Sequence, residues 1–515
     1  MIKLKPEDKP IAIALISLSI LFLTLAVATS LTKQPWWGEV WAADPAIGFL
    51  NEGYEGISIV EVIQPDIHQI PEESRALHLK ELSRHTYRNP PLHHIVKAGW
   101  FMAFGTTMFS MRAFSTAWGL VALLSWFVIV SALSESRKTA LLAVALISID
   151  YFFIHSAADG RVDMMSVALG SAGLAAYLTL RERDITKALF ISHTFVMLSG
   201  LTHPNGLLPF AALMLFIFYF DRKEIKPRHV FISIAPYLIG ALGWGLYIFK
   251  FTESFIYQYT ILKSRLPGSF LEAFQQEIYR YLGSYGFELS YGAKGTAAIL
   301  AKIKLLILAG YIIGVFGLIL VPGIRQNKKQ LSLFYVVVIY FILMSLFVGN
   351  RRYYYLVYIT PLFSACLAIF IAWLWTNRLM PRRVLGLFLC GFVLLQLGGD
   401  IRRIILDEYH KVYLPMAIKV EQISDKEDVI MSASELAYRI GFDRVIDDSR
   451  LGYFTGKRPD IVVVDARYKT NYERYKLEEP ETYKFVTDTL KNEFEQVFKN
   501  YRYEVYRRSD GGGRE

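Results

Sequence analysis

Up to about residue 400 the chain alternates long uncharged apolar runs with short charged stretches; beyond that point polar and apolar positions mix as in a water-exposed domain. A helix needs roughly 20 mostly apolar residues to cross about 30 Å of hydrocarbon. Ile11–Leu31 meets that length without a charge, is long for a signal-peptide core, and is read as a retained helix. Ten further segments follow: Ala113–Leu133, Thr139–Ser156, Met164–Leu180, Ala188–Thr202, Leu207–Phe220, Val230–Phe249, Thr296–Val321, Leu331–Val348, Tyr353–Trp375 and Val384–Leu397. The pattern predicts a polytopic α-helical membrane protein of about 11 spans, with 12–13 as the upper count.

Pro91–Ser110 is also apolar, but it carries His93, His94 and Lys97 near one end. Charge bias decides its placement. If it does not cross and the N-terminus is cytoplasmic, the inner loops collect Arg137/Lys138, Arg181/Arg183/Lys187, Arg222/Lys223/Lys226/Arg228, Arg325/Lys328/Lys329 and Arg378/Arg382/Arg383. If it crosses, all of these move outside, against the positive-inside rule. The segment is therefore read as a helix lying at the outer interface. The predicted organisation is a transmembrane region 1–400 with outer loops 32–112 and 250–295, a small α/β extracytoplasmic domain 401–510, and a tail 511–515. In the α/β domain Val429–Met431, Asp460–Val464 and Tyr501–Tyr506 read as strands and Glu481–Lys491 as a helix.

Composition agrees with this picture. Of 515 residues 53% are hydrophobic and 20% charged, mean hydropathy is +0.32, and the net charge of +10 is accounted for by inner loops rather than by nucleic-acid binding. Cys366 and Cys390 both fall in apolar runs and are expected to be buried thiols.

The outer face carries the candidate chemistry. Glu39 follows Trp36-Trp37-Gly38 just past the first span, and Asp44 comes five residues later; either acid could meet a hydroxyl at the interface or be an ordinary loop acid beside an aromatic belt. Asp159-Gly160-Arg161-Val162-Asp163 fills a short outer loop, and Asp163 enters the membrane region, where an unpaired ion is costly. An Arg161–Asp163 surface pair or a helix cap is the alternative. Asp150 lies inside the preceding span and is read as structural. Arg351 and Arg352, ahead of Tyr353 and Pro361, break the positive-inside pattern; a guanidinium fork suits phosphate, and snorkelling onto headgroups is the alternative. Lys263, Arg265 and His203 are further phosphate-contact candidates. No metal-ligand spacing or phosphate loop is present, and Asp447-Asp448 reads as a turn after a strand. Carboxylates beside cations at a bilayer suit transfer of a group from a lipid phosphate to a hydroxyl.

These landmarks resemble, in order, the GT-C class of membrane glycosyltransferases, specifically the protein mannosyltransferase and aminoarabinose transferase (PMT/ArnT-like) superfamily. The resemblance rests on Glu39 through Asn51-Glu52-Gly53, Asn89-Pro90-Pro91-Leu92-His93, Phe104-Gly105 with Met111-Arg112, Ala158 to Met164, Leu201-Thr202-His203-Pro204, and Arg351-Arg352-Tyr353 with Pro361, and covers residues 10–400. It implies an inverting transferase that uses a polyprenyl-phosphate-linked sugar and a first-loop carboxylate base, at the outer face of the cell membrane. Its acceptor would be a hydroxyl of a lipid, glycan or protein. No cofactor is implied, the lipid-phosphate sugar being a substrate. The chain departs from the family where Gly38-Glu39 stands for Asp-Glu, where Asn89 replaces a lysine beside Arg88, and where His203 replaces another lysine. By the resemblance Glu39 or Asp44 is the base, Asp163 orients the acceptor or base, and Arg351, Arg352, Tyr353, Arg161, Arg88, Arg265, Lys263 and His203 surround the donor phosphate. A lipid-linked sugar flippase or transporter, or a catalytically inactive subunit of the same fold, are the rival readings.

Overall fold

The structure, a computed structural model, describes residues 8–57, 59, 85–87, 89–263, 267–287, 302–348 and 352–509, without the side chains of 257 and 260–263. The chain is a polytopic, mostly helical membrane protein with a small sheet near its C-terminus. Its contacts define two compact units: Met1–Ser30 with Arg88–His93 and Arg112–Arg402, and Leu31–Tyr87 with His94–Met111 and Arg403–Glu515.

Among the described residues nine helices are long and apolar enough to span, from Lys9–Thr32 to Arg382–Ile423. A tenth candidate is the pair Arg137–Ser148 and Tyr151–Ala157, bent by 66°. Leu305–Leu320, with 16 residues, takes up most of the described part of the predicted Thr296–Val321 span. Helix thus lies over each of the eleven predicted segments. Pro91–Ser110 contains a helix of 13 residues, Leu92–Phe104, too short to cross, and Gly105 then turns the chain in the left-handed region at φ +78°. Tyr353–Tyr358 is not the start of a span, as the apolar run implied. It is a separate 3₁₀ turn, and the α-helix begins at Thr360 with Pro361 in the first turn, where a missing N–H costs nothing. Cys366 is buried as expected, but Cys390 is exposed. Leu385, Phe392, Gln396 and Asp400 form the buried stripe of its helix, and Cys390 lies off that stripe.

The basic loops gather at one end of the first unit. Lys329 reaches Glu135 at 2.8 Å and Glu182 at 3.8 Å, Arg181 holds Asp221 at 2.6 Å, and Arg137 pairs with Asp8.

Asp150 explains the 66° bend. Its Oδ1 accepts from the backbone N–H groups of Phe152 (3.1 Å) and Phe153 (2.9 Å), capping the second half-helix. Its Oδ2 accepts from the Tyr311 hydroxyl at 2.7 Å and Gln396 Nε2 at 3.2 Å, so the carboxylate ties the break to two neighbouring helices. Asp150→Leu leaves the Phe152 and Phe153 N–H groups and the Tyr311 hydroxyl proton without their acceptor, and each orphaned group costs about 1–3 kcal/mol. The expected result is loss of folded yield or a fall of many degrees in the melting temperature in detergent, with Asp150→Asn, which keeps one acceptor, in between. An unchanged melting curve for Asp150→Leu would refute the assignment.

The second unit holds a five-stranded sheet of order β2-β1-β3-β5-β4. β1 (Ile430–Ser432), β2 (Val445–Ile446) and β3 (Ile461–Val464) are parallel; β4 (Phe494–Lys499) and β5 (Glu504–Arg508) run antiparallel. Alternating side chains serve two cores. Ile430, Val445, Ile461 and Val463 pack with Val40, Ala43 and Ile47 of helix Trp37–Glu52 and with Met416 and Val420 of helix Leu414–Ile423. Met431, Val462 and Val464 pack on the other face with Tyr468 of helix Ala466–Glu478 and Val486 of helix Pro480–Glu493. The first loop therefore supplies one layer of this unit.

Candidate active site

Three segments distant in sequence meet within the membrane unit. Helix Ile185–Thr202 ends before Pro204, which forces His203 into an extended conformation at φ −153°, and a 3₁₀ turn Pro204–Gly206 follows. A β-carbon on Gly206 would lie 2.4 Å from the Gly200 nitrogen, so only glycine permits this fold-back. The His203 ring then faces Tyr355 and Tyr358, with centroids 5.7 and 6.2 Å away, and its Nδ1 accepts from the Asn205 N–H at 3.1 Å. With Nδ1 as acceptor, a neutral His203 carries its proton on Nε2.

Asp163 opens helix Asp163–Leu180 and is buried. Arg161 Nε donates to its Oδ2 at 2.9 Å, and the Tyr358 hydroxyl lies 3.4 Å from Oδ1. The Arg161 guanidinium stacks 3.8 Å above the Tyr354 ring. His155 Nε2 is 3.2 Å from the Tyr353 hydroxyl and 3.9 Å from buried Asp159. The structure thus brings Asp163, Arg161, Tyr353 and His203 into one polar cluster, with exposed Arg352 immediately before Tyr353. Sequence reasoning did not single out His155, Tyr354, Tyr355 or Tyr358. The tyrosine run after Arg352 was the available signal, and it reads equally as an aromatic belt.

Glu39 and Asp44 belong to the second unit. Glu39 is the third residue of helix Trp37–Glu52 and is fully buried. Its Oε2 accepts from the Trp36 N–H at 3.2 Å, and Lys33 Nζ lies 3.5 Å from Oε1. A carboxylate at a helix N-terminus is stabilised by the free N–H groups there. The helix ends at Gly53, left-handed at φ +75°, whose N–H returns to Phe49 O at 3.2 Å. Asp44 does different work: its Oδ2 accepts from the Ile59 N–H at 3.1 Å, and Ile59 O accepts from Asp447 N–H at 2.8 Å. It ties the first loop to the end of β2.

Arg88, Arg265 and Arg351 lie outside the described residues, and Lys263 closes helix Thr252–Lys263 without a described side chain. Among the described residues no group of three or more His, Cys, Asp and Glu is placed to hold a metal ion. Asp447-Asp448 is a buried turn after β2, as read. Close by, burial and then the charge of Asp465 push the Glu435 carboxyl up from 4.5 to about 8. A carboxyl raised in the folded state binds more protons there than when unfolded, so its contribution falls as pH rises between these values and is level above them. Glu435→Gln should therefore be matched with wild type at pH 4.5 and gain on it by up to about 1.4 kcal/mol per pH unit towards pH 8. Paired melting curves across that range check this; parallel curves would exclude it.

No protein-family model matches the chain, and no curated protein matches it by sequence. Solved structures do match. ArnT from Cupriavidus metallidurans bound to undecaprenyl phosphate is 13% identical, covers 97% of this chain and 98% of its own, and superposes with a TM-score of 0.57. The chain shares the fold of ArnT. The apo structure of that protein gives a TM-score of 0.56, 13% identity and coverage of 96% and 98%. An oligosaccharyltransferase from Archaeoglobus fulgidus follows at a TM-score of 0.47 and 12% identity, covering 97% of this chain and 75% of that one. The resemblance carried by the motifs holds at the level of the fold.

Proposed function

We propose that the protein is an integral-membrane glycosyltransferase that moves a sugar from a polyprenyl-phosphate carrier to an acceptor hydroxyl. The observation that carries this reading is the ArnT fold over nearly the full length of both chains, in a relative solved with undecaprenyl phosphate bound. Glu39 takes the proton of the acceptor hydroxyl as its oxygen attacks the anomeric carbon. The bond from that carbon to the phosphate oxygen breaks, the configuration inverts, and the lipid leaves as its phosphate anion. Arg352, with Arg351, meets the anion's charge, as preorganised cations do for a charge that develops in the transition state. Asp163, already accepting from Arg161 and Tyr358, orients the acceptor rather than taking its proton. His203 and Tyr353 line the donor side. The gathering of Arg137, Arg181 and Lys329 at one end supports a cytoplasmic N-terminus and an extracytoplasmic α/β unit in a cell membrane.

The test is incubation of the purified protein in nanodiscs with a panel of undecaprenyl-phosphate-linked sugars and candidate hydroxyl acceptors. Mass spectrometry should detect free undecaprenyl phosphate together with a glycosylated acceptor. A donor that stays intact with every acceptor, or crosses the bilayer unchanged, would overturn the reading in favour of a carrier.

A further inference from the structure

The sheet of the second unit has a topological switch point, the place where open α/β sheets commonly bind a ligand. The chain leaves β1, pairs β2 on one side of it, and returns to pair β3 on the other side, so the carboxyl ends of β1 and β3 flank the point where strand order reverses. In open α/β sheets this is the common ligand crevice. Ser434 follows β1, Asp447 follows β2, and Arg467 sits one residue into the helix after β3.

In this protein two tryptophans of helix Trp37–Glu52 occupy that place. Trp41 Nε1 donates to Ser434 Oγ at 2.9 Å. The Ser434 hydroxyl donates to Asp447 Oδ2, and Arg467 donates to Asp447 Oδ1. The Arg467 guanidinium in turn lies 5.5 Å from the centre of the Trp37 ring. The contacts form a closed circuit that leaves the helix at Trp41 and re-enters it at Trp37. Residues 37, 41 and 44 share one helical face, and Asp44 is fixed to the same strand end through Ile59. A helix held at three points on one face cannot rotate about its axis, so the direction of every other residue on it is set. One of those residues is Glu39.

We propose that the carboxyl edge of β1–β3 is a socket for the first-loop helix, and that Ser434, Asp447 and Arg467 are positioning residues for Glu39. This rests on the reading of Glu39 as the base. The place where an open α/β sheet commonly takes a ligand thus holds the helix that carries Glu39, and Ser434, Asp447 and Arg467 act in turnover without touching substrate.

Ser434 is the link to test, because Ser434→Ala removes one hydroxyl and Ser434→Thr returns it. The full-length protein is assayed with whichever undecaprenyl-phosphate sugar the wild type turns over. Ser434→Ala should lower kcat of the folded protein about tenfold with donor KM unchanged, alongside a lower melting temperature from the orphaned Trp41 Nε1 and Asp447 Oδ2, and backbone amides 38–44 should exchange with deuterium faster. Ser434→Thr should restore all three. A merely structural hydroxyl would lower the melting temperature and leave kcat of the folded protein at the wild-type value, and that result overturns the proposal, as does unchanged exchange at 38–44. Glu39→Gln distinguishes the two failures: wild-type turnover in that variant removes Glu39 as base and the positioning role with it. An inactive Glu39→Gln beside an unaffected Ser434→Ala removes the socket alone.

Discussion

Glu39→Gln is expected to lower turnover by about 10²–10⁴-fold, the range a positioned general base supplies, with donor KM little changed. Glutamine keeps the length and shape of the side chain, and its carbonyl oxygen can still accept the Trp36 N–H now held by Oε2 at 3.2 Å. What disappears is the basic oxygen that faces Lys33 at 3.5 Å and the ability to accept a proton. Helix Trp37–Glu52 should stay folded, with a lowered melting temperature because buried Lys33 loses the opposite charge of Glu39, so turnover is compared at a temperature where both proteins are folded. Asp44 supplies the contrast. Its Oδ2 is bonded to the Ile59 N–H at 3.1 Å, so Asp44→Asn, which can still accept that bond, should retain most of the activity. Single-turnover rates of the two variants, measured with one donor, decide between the acids. Wild-type speed in Glu39→Gln, or a larger loss in Asp44→Asn, would reverse the assignment.

The parts of this fold legible in the sequence were those written in contiguous residues. Long uncharged runs marked the spans, because hydrocarbon thickness sets one length for all of them. The basic loops were legible from the Lys/Arg bias between spans, and Lys329 does meet Glu135 and Glu182 across three of those loops. β1 and β3 were readable as apolar stretches and β5 (EVYRR) only as the overlapping strand Tyr501–Tyr506, while β2 has two residues and β4 reads FEQVFK, with little apolar contrast to find. The joining of the first loop to the C-terminal sheet left no local trace. It depends on pairs such as Trp41 and Ser434, 393 positions apart. The membrane cluster divides in the same way. Arg161 and Asp163 are two residues apart and visible as a pair, whereas His155 sits in an apolar run and finds Tyr353 198 positions later. Departures from periodicity were the missed signals: Asp150 in mid-span marks a break, and three successive tyrosines after Arg352 mark a buried turn.

Asp163 and Arg161 can be separated into structural and chemical parts by a double-mutant cycle. Asp163 is buried and its charge is matched by Arg161 at 2.9 Å. Removing one partner of a buried pair costs about 3–5 kcal/mol, because the other charge is left without compensation, whereas replacing both by apolar groups is often neutral. Arg161→Leu alone should therefore lower the melting temperature markedly. Asp163→Leu alone should do so less, since Arg161 remains stacked on Tyr354 at 3.8 Å and its side chain is partly exposed. The double variant should recover most of the lost stability. Turnover should behave differently: if Asp163 orients the acceptor, activity stays low, about 10²-fold or more below wild type, in every variant that lacks its carboxylate, including the refolded double one. Stability that returns without activity is the signature of a carboxylate needed for chemistry. Activity that returns together with stability would show that the pair only holds the start of helix Asp163–Leu180 in place.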